Sequence, residues 1–160
     1  KMDYQKVTTK DILIIGNKSE LSFLTNGEGT GSLARQFMPR LQEITNRVGT
    51  YSFSIQKYNT FDIKTMTPET RFEKWIGVVV SDLNSIPENM ESLIIPGGDF
   101  LVFPFQGSVS NFIEFWQQLH NEWLPNSIYQ LDNRPHFEKL PAGYNPMRVD
   151  NQEEIWIPIK

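Results

Sequence analysis

The segment 135–140 places a carboxylate, Glu138, directly after the aromatic residue Phe137 in a run too short to form a helix. If Glu138 points inward on a strand, burying its charge costs several kcal/mol unless the carboxylate is paired or hydrogen-bonded. A cationic ligand would supply such a partner, and aromatic faces around it would add cation–π attraction of ~0.5–2 kcal/mol each. The alternative is that Glu138 faces solvent or pairs with Lys139 or Arg134.

Aromatic residues are frequent enough to line a cavity around this carboxylate, although composition alone does not separate a cavity wall from a core. The sequence has 11 Phe, 5 Tyr and 4 Trp among 160 residues. With Glu138, the predicted ligand-binding residues are Trp75, Tyr51, Phe53, Phe112, Trp116, Phe137 and Trp156. Each of the seven rings also has an interpretation as ordinary core.

Other titratable residues give weaker signals. Glu73 occupies the same place in a similar tetrapeptide, Phe-Glu-Lys-Trp, and a surface position is the alternative. His120 is predicted to be exposed, and His136 is too isolated from any Ser partner to suggest a catalytic triad. The neighbours at 153 and 154 are both Glu, but adjacent residues on a strand face opposite sides.

Composition excludes several classes of function. Cysteine is absent, so disulfides, thiol nucleophiles and cysteine–zinc sites are excluded, and two histidines cannot build a histidine-rich metal site. The net charge is −4 with no long basic run, which argues against direct DNA binding. No apolar run approaches the ~18 residues of a membrane span. We therefore expect a cytoplasmic protein with no cofactor, no metal and no membrane association.

The second half of the chain must position Glu138, and it has the clearer elements. A strand is predicted over Asp99–Phe105, and Pro104 within it suggests an edge position or a bulge. A helix is predicted from Val109 to Leu124, because bulky residues recur there with a helical period on one face. Short strands are predicted at Ser127–Leu131 and from Glu153 to Lys160. The helical face consists of Phe112, Phe115, Trp116, Leu119 and Trp123.

The first half shows a weaker copy of the same order. Strands are predicted at Tyr4–Gly16, Tyr51–Lys57 and Phe72–Ser81, and a helix at Leu33–Val48 with a conflict at Pro39. We expect alternation at Tyr51–Lys57 to leave one face of that strand polar and exposed. Both halves thus run β-α-β-β, which predicts one domain with pseudo-repeats at about 4–82 and 92–160.

The glycine-rich stretch Thr25–Ser32 resembles a phosphate-binding loop only superficially. It lacks the spacing of a P-loop, and its glycines match no dinucleotide fingerprint. We interpret it as a flexible connection between the first strand and the first helix.

Several short motifs, taken together, resemble those of the GyrI-like small-molecule-binding domain, which is also the effector-binding domain of AraC-type and MerR-type bacterial regulators. Their order and spacing along nearly the whole chain carry this resemblance more than any single motif. They are Phe37-Met-Pro-Arg40 with Glu43-Ile44, Trp75-Ile-Gly-Val78, Ile95-Pro-Gly-Gly-Asp-Phe-Leu-Val-Phe103 with Gly107, Glu122-Trp-Leu-Pro125, Pro135-His-Phe-Glu138 and Ile155-Trp-Ile-Pro-Ile159.

The resemblance implies an α+β fold, an antiparallel sheet with two main helices whose duplicated halves are related by a pseudo-twofold around a central cleft. It also implies that Glu138 is the acidic group at the floor of an aromatic-lined pocket. The family often has Tyr two residues after this Glu, and Leu140 stands there instead, which puts tyrosine-dependent chemistry in doubt. No helix-turn-helix segment is recognisable, so we expect a stand-alone domain.

Three functions follow as hypotheses. The first is a module that binds a hydrophobic, aromatic or cationic small molecule, linked to transcriptional regulation, drug or toxin sensing, or sequestration. The second is a GyrI-like hydrolase of reactive electrophiles, in which Glu138 would act as general base with Tyr144 or a Trp replacing the missing tyrosine. The third is a protein-interaction module that acts on a protein partner, in the manner of a gyrase inhibitor.

Overall fold

The computed structural model describes residues 2–160 and shows eight β-strands and two α-helices over that range. A 3-10 helix, Met38–Glu43, follows the first α-helix, and a π-helical turn, Leu119–Trp123, follows the second. In chain order the other elements are β1 Gln5–Thr9, β2 Ile12–Ser22, α1 Asn26–Phe37, β3 Ser52–Lys57, β4 Arg71–Val79, β5 Glu91–Ile95, β6 Gly98–Gly107, α2 Val109–Gln118, β7 His136–Leu140 and β8 Asn151–Ile159.

All eight strands belong to one antiparallel sheet with the order β1-β6-β8-β7-β3-β4-β2-β5. Read inward from its two ends, this order pairs each strand with its counterpart in the other half: β1 with β5, β6 with β2, β8 with β4, and β7 with β3. The predicted α+β fold with duplicated β-α-β-β halves is therefore confirmed, and the pseudo-twofold passes between β3 and β7.

Two short links force the sheet to curl. Lys10 and Asp11 alone connect β1 to β2, and Pro96 and Gly97 alone connect β5 to β6, although each pair of strands lies towards opposite ends of the sheet order. Two residues span only ~7 Å, so the two ends of the sheet must approach each other. A Cβ atom on Gly97 would lie 2.7 Å from the backbone carbonyl carbon of Lys10, which shows how closely the two links pass.

The concave face of the curled sheet encloses a closed apolar core, and both helices pack on the convex face. The enclosed core combines residues from both ends of the sheet: Ile14, Phe53, Ile55, Trp75, Leu93, Ile95, Phe100, Val102, Phe137 and Trp156. On the convex face, α1 covers β2 and β4, and α2 packs against β6. The middle of that face, over β3 and β7, lies between the helices, and we call this space the central cleft.

The first strand differs from the prediction. The segment predicted as one strand, Tyr4–Gly16, is divided at Lys10–Asp11 into β1 and β2, because these two strands pair at different places in the sheet. Gly16 does not end β2 but lies within it, opposite Gly77 of β4. A Cβ atom at Gly16 would lie 2.1 Å from the Ile76 carbonyl oxygen, so glycine permits a close approach of two backbones.

The glycine-rich stretch is helical, so its interpretation as a flexible connection was wrong. It forms most of α1, and a Cβ atom at Gly29 would lie 2.4 Å from a methyl carbon of Leu21 on β2. Tertiary packing thus overrides the low helix propensity of glycine here. The helix ends at Phe37 rather than at Val48, because Pro39 has no N–H to continue the α-helical pattern and begins a 3-10 turn instead.

Two further predictions differ from the structure. The strand predicted at Ser127–Leu131 is absent from the described residues, where only an isolated bridge joins Leu131 to Ile159. The polar side of β3 is not exposed as alternation suggested, since Ser54 and Gln56 are buried as fully as Phe53 and Ile55. Both faces of β3 are covered because it lies at the centre of the sheet.

Replacing Gly16 with Ala tests the close approach of β2 and β4. The added methyl group would overlap the Ile76 carbonyl oxygen, so we expect the free energy of unfolding to fall by roughly 1–3 kcal/mol, the usual cost of overpacking. Urea denaturation followed by circular dichroism measures it. Gly27→Ala is the matched control, since no atom lies within 4 Å of its Cβ position. It should leave stability unchanged or raise it by up to ~1 kcal/mol, and equal losses in both variants would contradict this packing.

Candidate functional site

Polar side chains of three neighbouring strands meet on the floor of the central cleft. In the antiparallel register, Glu138 on β7 lies opposite Ser54 on β3, and Gln56 lies opposite both His136 on β7 and Lys74 on β4. Paired residues project to the same face of a sheet, so all of these side chains point between the helices. Glu138 is 8% exposed and Lys74 only 2% exposed. The sequence therefore buries a carboxylate and an ammonium on the same face of the sheet, with β3 between their strands.

Burial governs the electrostatics of this pair. Desolvation raises the pKa of Glu138, and the positive charge of Lys74 and a hydrogen bond from Gln56 Nε2 to Glu138 Oε1 (3.0 Å) oppose the rise. Desolvation also lowers the pKa of Lys74, against the attraction of Glu138 and Glu153. Each group thus favours its neutral form through burial and its charged form through the other.

A second carboxylate, Glu153 on β8, belongs to the same cluster. It lies two residues before Ile155, which pairs with Glu138, so both carboxylates are on the cleft side of the sheet. Burial and repulsion from Glu138 raise the pKa of Glu153 to about 8, with Lys74 acting in the opposite direction. Tyr144 lies close enough that burial and the charges of Glu153 and Glu138 raise its pKa to about 12.

Aromatic side chains fill the cleft at the His136 end. We call this set the ring cluster, and its members are Phe23, Tyr58, Phe61, Phe72, Trp116, His120 and His136. The Phe61 ring lies 4.7 Å from His136 and 6.4 Å from Trp116, and Tyr58 lies 5.1 Å from His136, all between ring centroids. Tyr58 and Phe61 come from the connection between β3 and β4, which thereby covers the central strands.

His120 is buried, contrary to its predicted exposure. Its ring stacks on Trp116 with centroids 4.0 Å apart, and its Nδ1 lies 2.8 Å from the Trp116 carbonyl oxygen. In the π-helical turn, Leu124 N–H donates to the Leu119 carbonyl oxygen. The wider turn changes the direction in which side chains such as that of His120 project. Burial lowers the pKa of His120 to about 4 and that of His136 well below its ordinary value.

The predicted wall residues divide between the two faces of the sheet. Phe112 and Trp116, on α2, lie on the same side as Glu138. The others do not meet Glu138, because they alternate with cleft-facing residues or pair with residues of the concave face. These are Tyr51, Phe53, Trp75, Phe137 and Trp156.

Rings of the concave face already hold lysines of the protein itself. Lys139 Nζ lies 4.5 Å from the centroid of the Tyr51 ring and 5.4 Å from that of Trp156, and 3.9 Å from a carboxylate oxygen of Glu154. Lys18 Nζ lies 5.7 Å from the Trp75 ring. On this face, lysines of the protein itself thus make the cation–π contacts that were expected of a ligand.

Glu73 does not share the surroundings of Glu138. It accepts a hydrogen bond from Trp75 Nε1 (2.7 Å) and lies 3.9 Å from Lys18 Nζ on the concave side. The tetrapeptide similarity misled here, because Lys74, one residue later, is the side chain that enters the cleft. Glu153 and Glu154 do face opposite sides, as predicted.

Sequence reasoning missed Gln56, Lys74 and Glu153 as members of the site. Gln56 and Lys74 could have been found only from the strand register, which the sequence does not reveal. Glu153 had a usable signal, because it shares its face with Ile155, but nothing indicated that this face adjoins Glu138.

Comparison with known proteins identifies the family of this chain. The GyrI-like small-molecule-binding domain matches residues 2–160. The chain belongs to this family. No curated protein matches it, and none of the helices in residues 2–160 is long and apolar enough to cross a membrane.

Several solved structures have the same fold, and the matches cover nearly the whole length of both chains. SAV2435 bound to tetraphenylphosphonium is 16% identical, with a TM-score of 0.76 and coverage of 99% of this chain and 94% of that one. A putative transcription regulation protein from Staphylococcus aureus is 18% identical, with a TM-score of 0.70 and coverage of 100% and 99%. The C-terminal domain of EcmrR is 13% identical, with a TM-score of 0.67 and coverage of 99% and 98%.

The buried histidine predicts a pH dependence of stability. With its pKa lowered to about 4 in the folded state, His120 contributes stability that is present above pH ~6.5 and lost as pH falls towards 4. Relative to His120→Phe, which keeps the stacking on Trp116, the wild type should lose up to ~3 kcal/mol of unfolding free energy between pH 7 and pH 4. Urea denaturation at each pH measures the difference, and parallel curves for the two proteins would contradict the burial of a neutral ring.

Proposed function

We propose that the protein binds an organic cation with aromatic groups in the central cleft, with Glu138 as the charge partner. The observation that carries the proposal is the carboxylate of Glu138, which is buried on the cleft floor and close enough to Tyr58 of the ring cluster that its charge helps to raise the pKa of that phenol. Lys74 is an incomplete charge partner for Glu138, because burial lowers the pKa of Lys74 and so disfavours its charged form. A bound cation would supply a second charge partner.

The aromatic surroundings favour a flat or ring-bearing ligand. The Phe61 ring contacts His136, Trp116 and His120 at tilted or edge-on angles. Phe61 belongs to a connection without regular secondary structure. A ligand ring that displaced Phe61 would make the same contacts with these rings, so little buried apolar area would be lost. The binding of tetraphenylphosphonium by SAV2435, a protein of the same fold, supports this class of ligand.

A regulatory use of this binding is part of the proposal. The fold is similar to that of the C-terminal domain of EcmrR, and EcmrR itself has been solved in a complex with DNA. This likeness supports a role in which a bound small molecule is reported to a transcription apparatus. Simple sequestration of a toxic cation needs only the same site. The two differ in whether ligand binding alters contact with a protein partner.

Tetraphenylphosphonium binding tests the proposal directly. Wild-type protein should bind this cation, with quenching of tryptophan fluorescence because Trp116 lies at the cleft. Glu138→Gln preserves the shape but removes the charge, and we expect its dissociation constant to rise roughly tenfold to a hundredfold, the effect of losing a charged partner. Isothermal titration calorimetry gives the constants.

Glu73→Gln is the matched control, since it removes a carboxylate that also follows Phe and precedes Lys but lies on the concave side. Its affinity should equal that of the wild type. Equal losses in both variants, or no binding by the wild type, would contradict the proposal.

A second candidate, hydrolysis of a reactive electrophile, is favoured by one observation. The Tyr144 phenol remains protonated near Glu138 and Glu153, so it could donate a hydrogen bond while ionised Glu138 takes a proton from water. Such turnover should be lost in Glu138→Gln and reduced in Tyr144→Phe. Turnover of an epoxide or activated ester by Glu138→Gln at the wild-type rate would eliminate this mechanism.

A further inference from the structure

Two buried imidazole nitrogens in the ring cluster have no hydrogen-bond partner. His120 is 2% exposed and His136 is 5% exposed, and the Nε2 atom of each is unpaired in the part of the chain that the structure describes. Burying a polar atom without a partner costs free energy, so native proteins retain few such atoms. Here two of them belong to the cluster that the proposed function assigns to the aromatic groups of the ligand.

The contact of His120 with its own helix determines which of its nitrogens carries a proton. Nδ1 lies 2.8 Å from the Trp116 carbonyl oxygen, and a carbonyl oxygen can only accept, so Nδ1 carries the hydrogen. Burial lowers the pKa of His120 to about 4, which keeps the ring neutral at pH 7. A neutral imidazole protonated at Nδ1 presents a lone pair at Nε2. His120 Nε2 is therefore an unused hydrogen-bond acceptor.

The His136 ring connects this acceptor to the buried carboxylate. The centroids of the two imidazole rings are 6.3 Å apart, with their planes inclined by 26°. His136 lies two residues before Glu138 on β7, so both side chains project to the cleft face of the sheet. Glu138, His136 and His120 thus follow one another from the cleft floor towards the end of α2.

Phe61 packs against both imidazole rings. Its centroid lies 4.7 Å from that of His136 and 5.3 Å from that of His120. A ligand ring in the place of Phe61 would therefore contact both imidazoles. An O–H or N–H group on the edge of that ligand ring would then meet an unpaired nitrogen instead of a purely apolar wall.

We propose that His120 is a specificity-determining residue of the cleft, whose Nε2 accepts a hydrogen bond from an O–H or N–H group of the ligand. The ligand class is thereby narrowed to an aromatic cation that carries a neutral hydrogen-bond donor on a ring remote from its charge. The inference rests on the proposed function, because it assumes that an aromatic cation enters the ring cluster. Tetraphenylphosphonium has no such donor and would leave His120 Nε2 unpaired.

A matched pair of phosphonium cations tests the inference. (4-Hydroxymethylphenyl)triphenylphosphonium and (4-ethylphenyl)triphenylphosphonium have the same charge and nearly the same shape, but only the first has an O–H group. Wild-type protein should bind the hydroxymethyl probe roughly threefold to tenfold more tightly, the effect of one hydrogen bond to a buried acceptor. A purely apolar cluster would favour the ethyl probe, because water solvates the hydroxyl group better. Isothermal titration calorimetry at pH 7 gives both dissociation constants.

Substitutions at the two histidines identify the acceptor. His120→Phe keeps the stacking on Trp116 but has no acceptor nitrogen, so the preference for the hydroxymethyl probe should disappear or reverse. His120→Gln, whose amide oxygen can accept a hydrogen bond, should keep part of the preference. His136→Phe is the matched comparison and should keep the preference. Loss of the preference in His136→Phe and its survival in His120→Phe would overturn the assignment to His120.

A measurement on the wild type alone keeps the inference testable if a variant does not fold. In protein labelled with ¹⁵N-histidine, the hydroxymethyl probe should move the His120 Nε2 resonance to lower frequency, as expected of an imidazole nitrogen that accepts a hydrogen bond, and the ethyl probe should move it less. Equal affinity of the wild type for the two probes would overturn the inference and leave the proposed function intact. Failure to bind either probe or tetraphenylphosphonium would overturn both.

Discussion

The architecture depends on two chain links of two residues each. Because Lys10–Asp11 and Pro96–Gly97 each connect strands from opposite ends of the sheet order, the sheet has to curl, and its concave side becomes a closed apolar core. Glu138 projects from the convex side of the central strands, into the space between the helices. That space is a consequence of backbone length, since the curl determines which side of the sheet is enclosed.

On that convex side, the desolvation of charged groups and their mutual attraction act in opposite directions. A carboxylate and an ammonium, Glu138 and Lys74, are withdrawn from water, which disfavours the charged form of each, while their mutual attraction favours it. Glu153 adds a second carboxyl group, and burial together with the charge of Glu138 opposes its ionisation. Proteins commonly retain such an arrangement where a ligand or a reaction uses it.

Periodicity predicted the elements with strong patterns and the face that residues share. The strand predicted from Glu153 to Lys160 is present as part of β8, and the bulky residues of the second helix fell on one side as expected. What periodicity could not give is which face of the sheet a set of residues occupies. Trp75 and Trp156 were therefore placed around Glu138, although they lie across the sheet from it.

Other errors came from tertiary contacts that leave no local trace. The glycines of α1 resembled a loop because the strand against which Gly29 packs is visible only in the folded protein. His120 was judged by α-helical spacing, which the π-helical turn interrupts. Lys74 had no signal at all, since a lysine on a strand is most often a surface residue.

The exchange of edge strands between the halves has a mechanical consequence. β1 precedes the first half in the chain but pairs only with β6 of the second half, and β5 pairs only with β2 of the first. A pulling force applied to the chain ahead of β1 would act directly on the half that carries α2 and Glu153. It would reach the first half through the short Lys10–Asp11 link. Force at the amino-terminal end is thus transmitted first to the carboxy-terminal half.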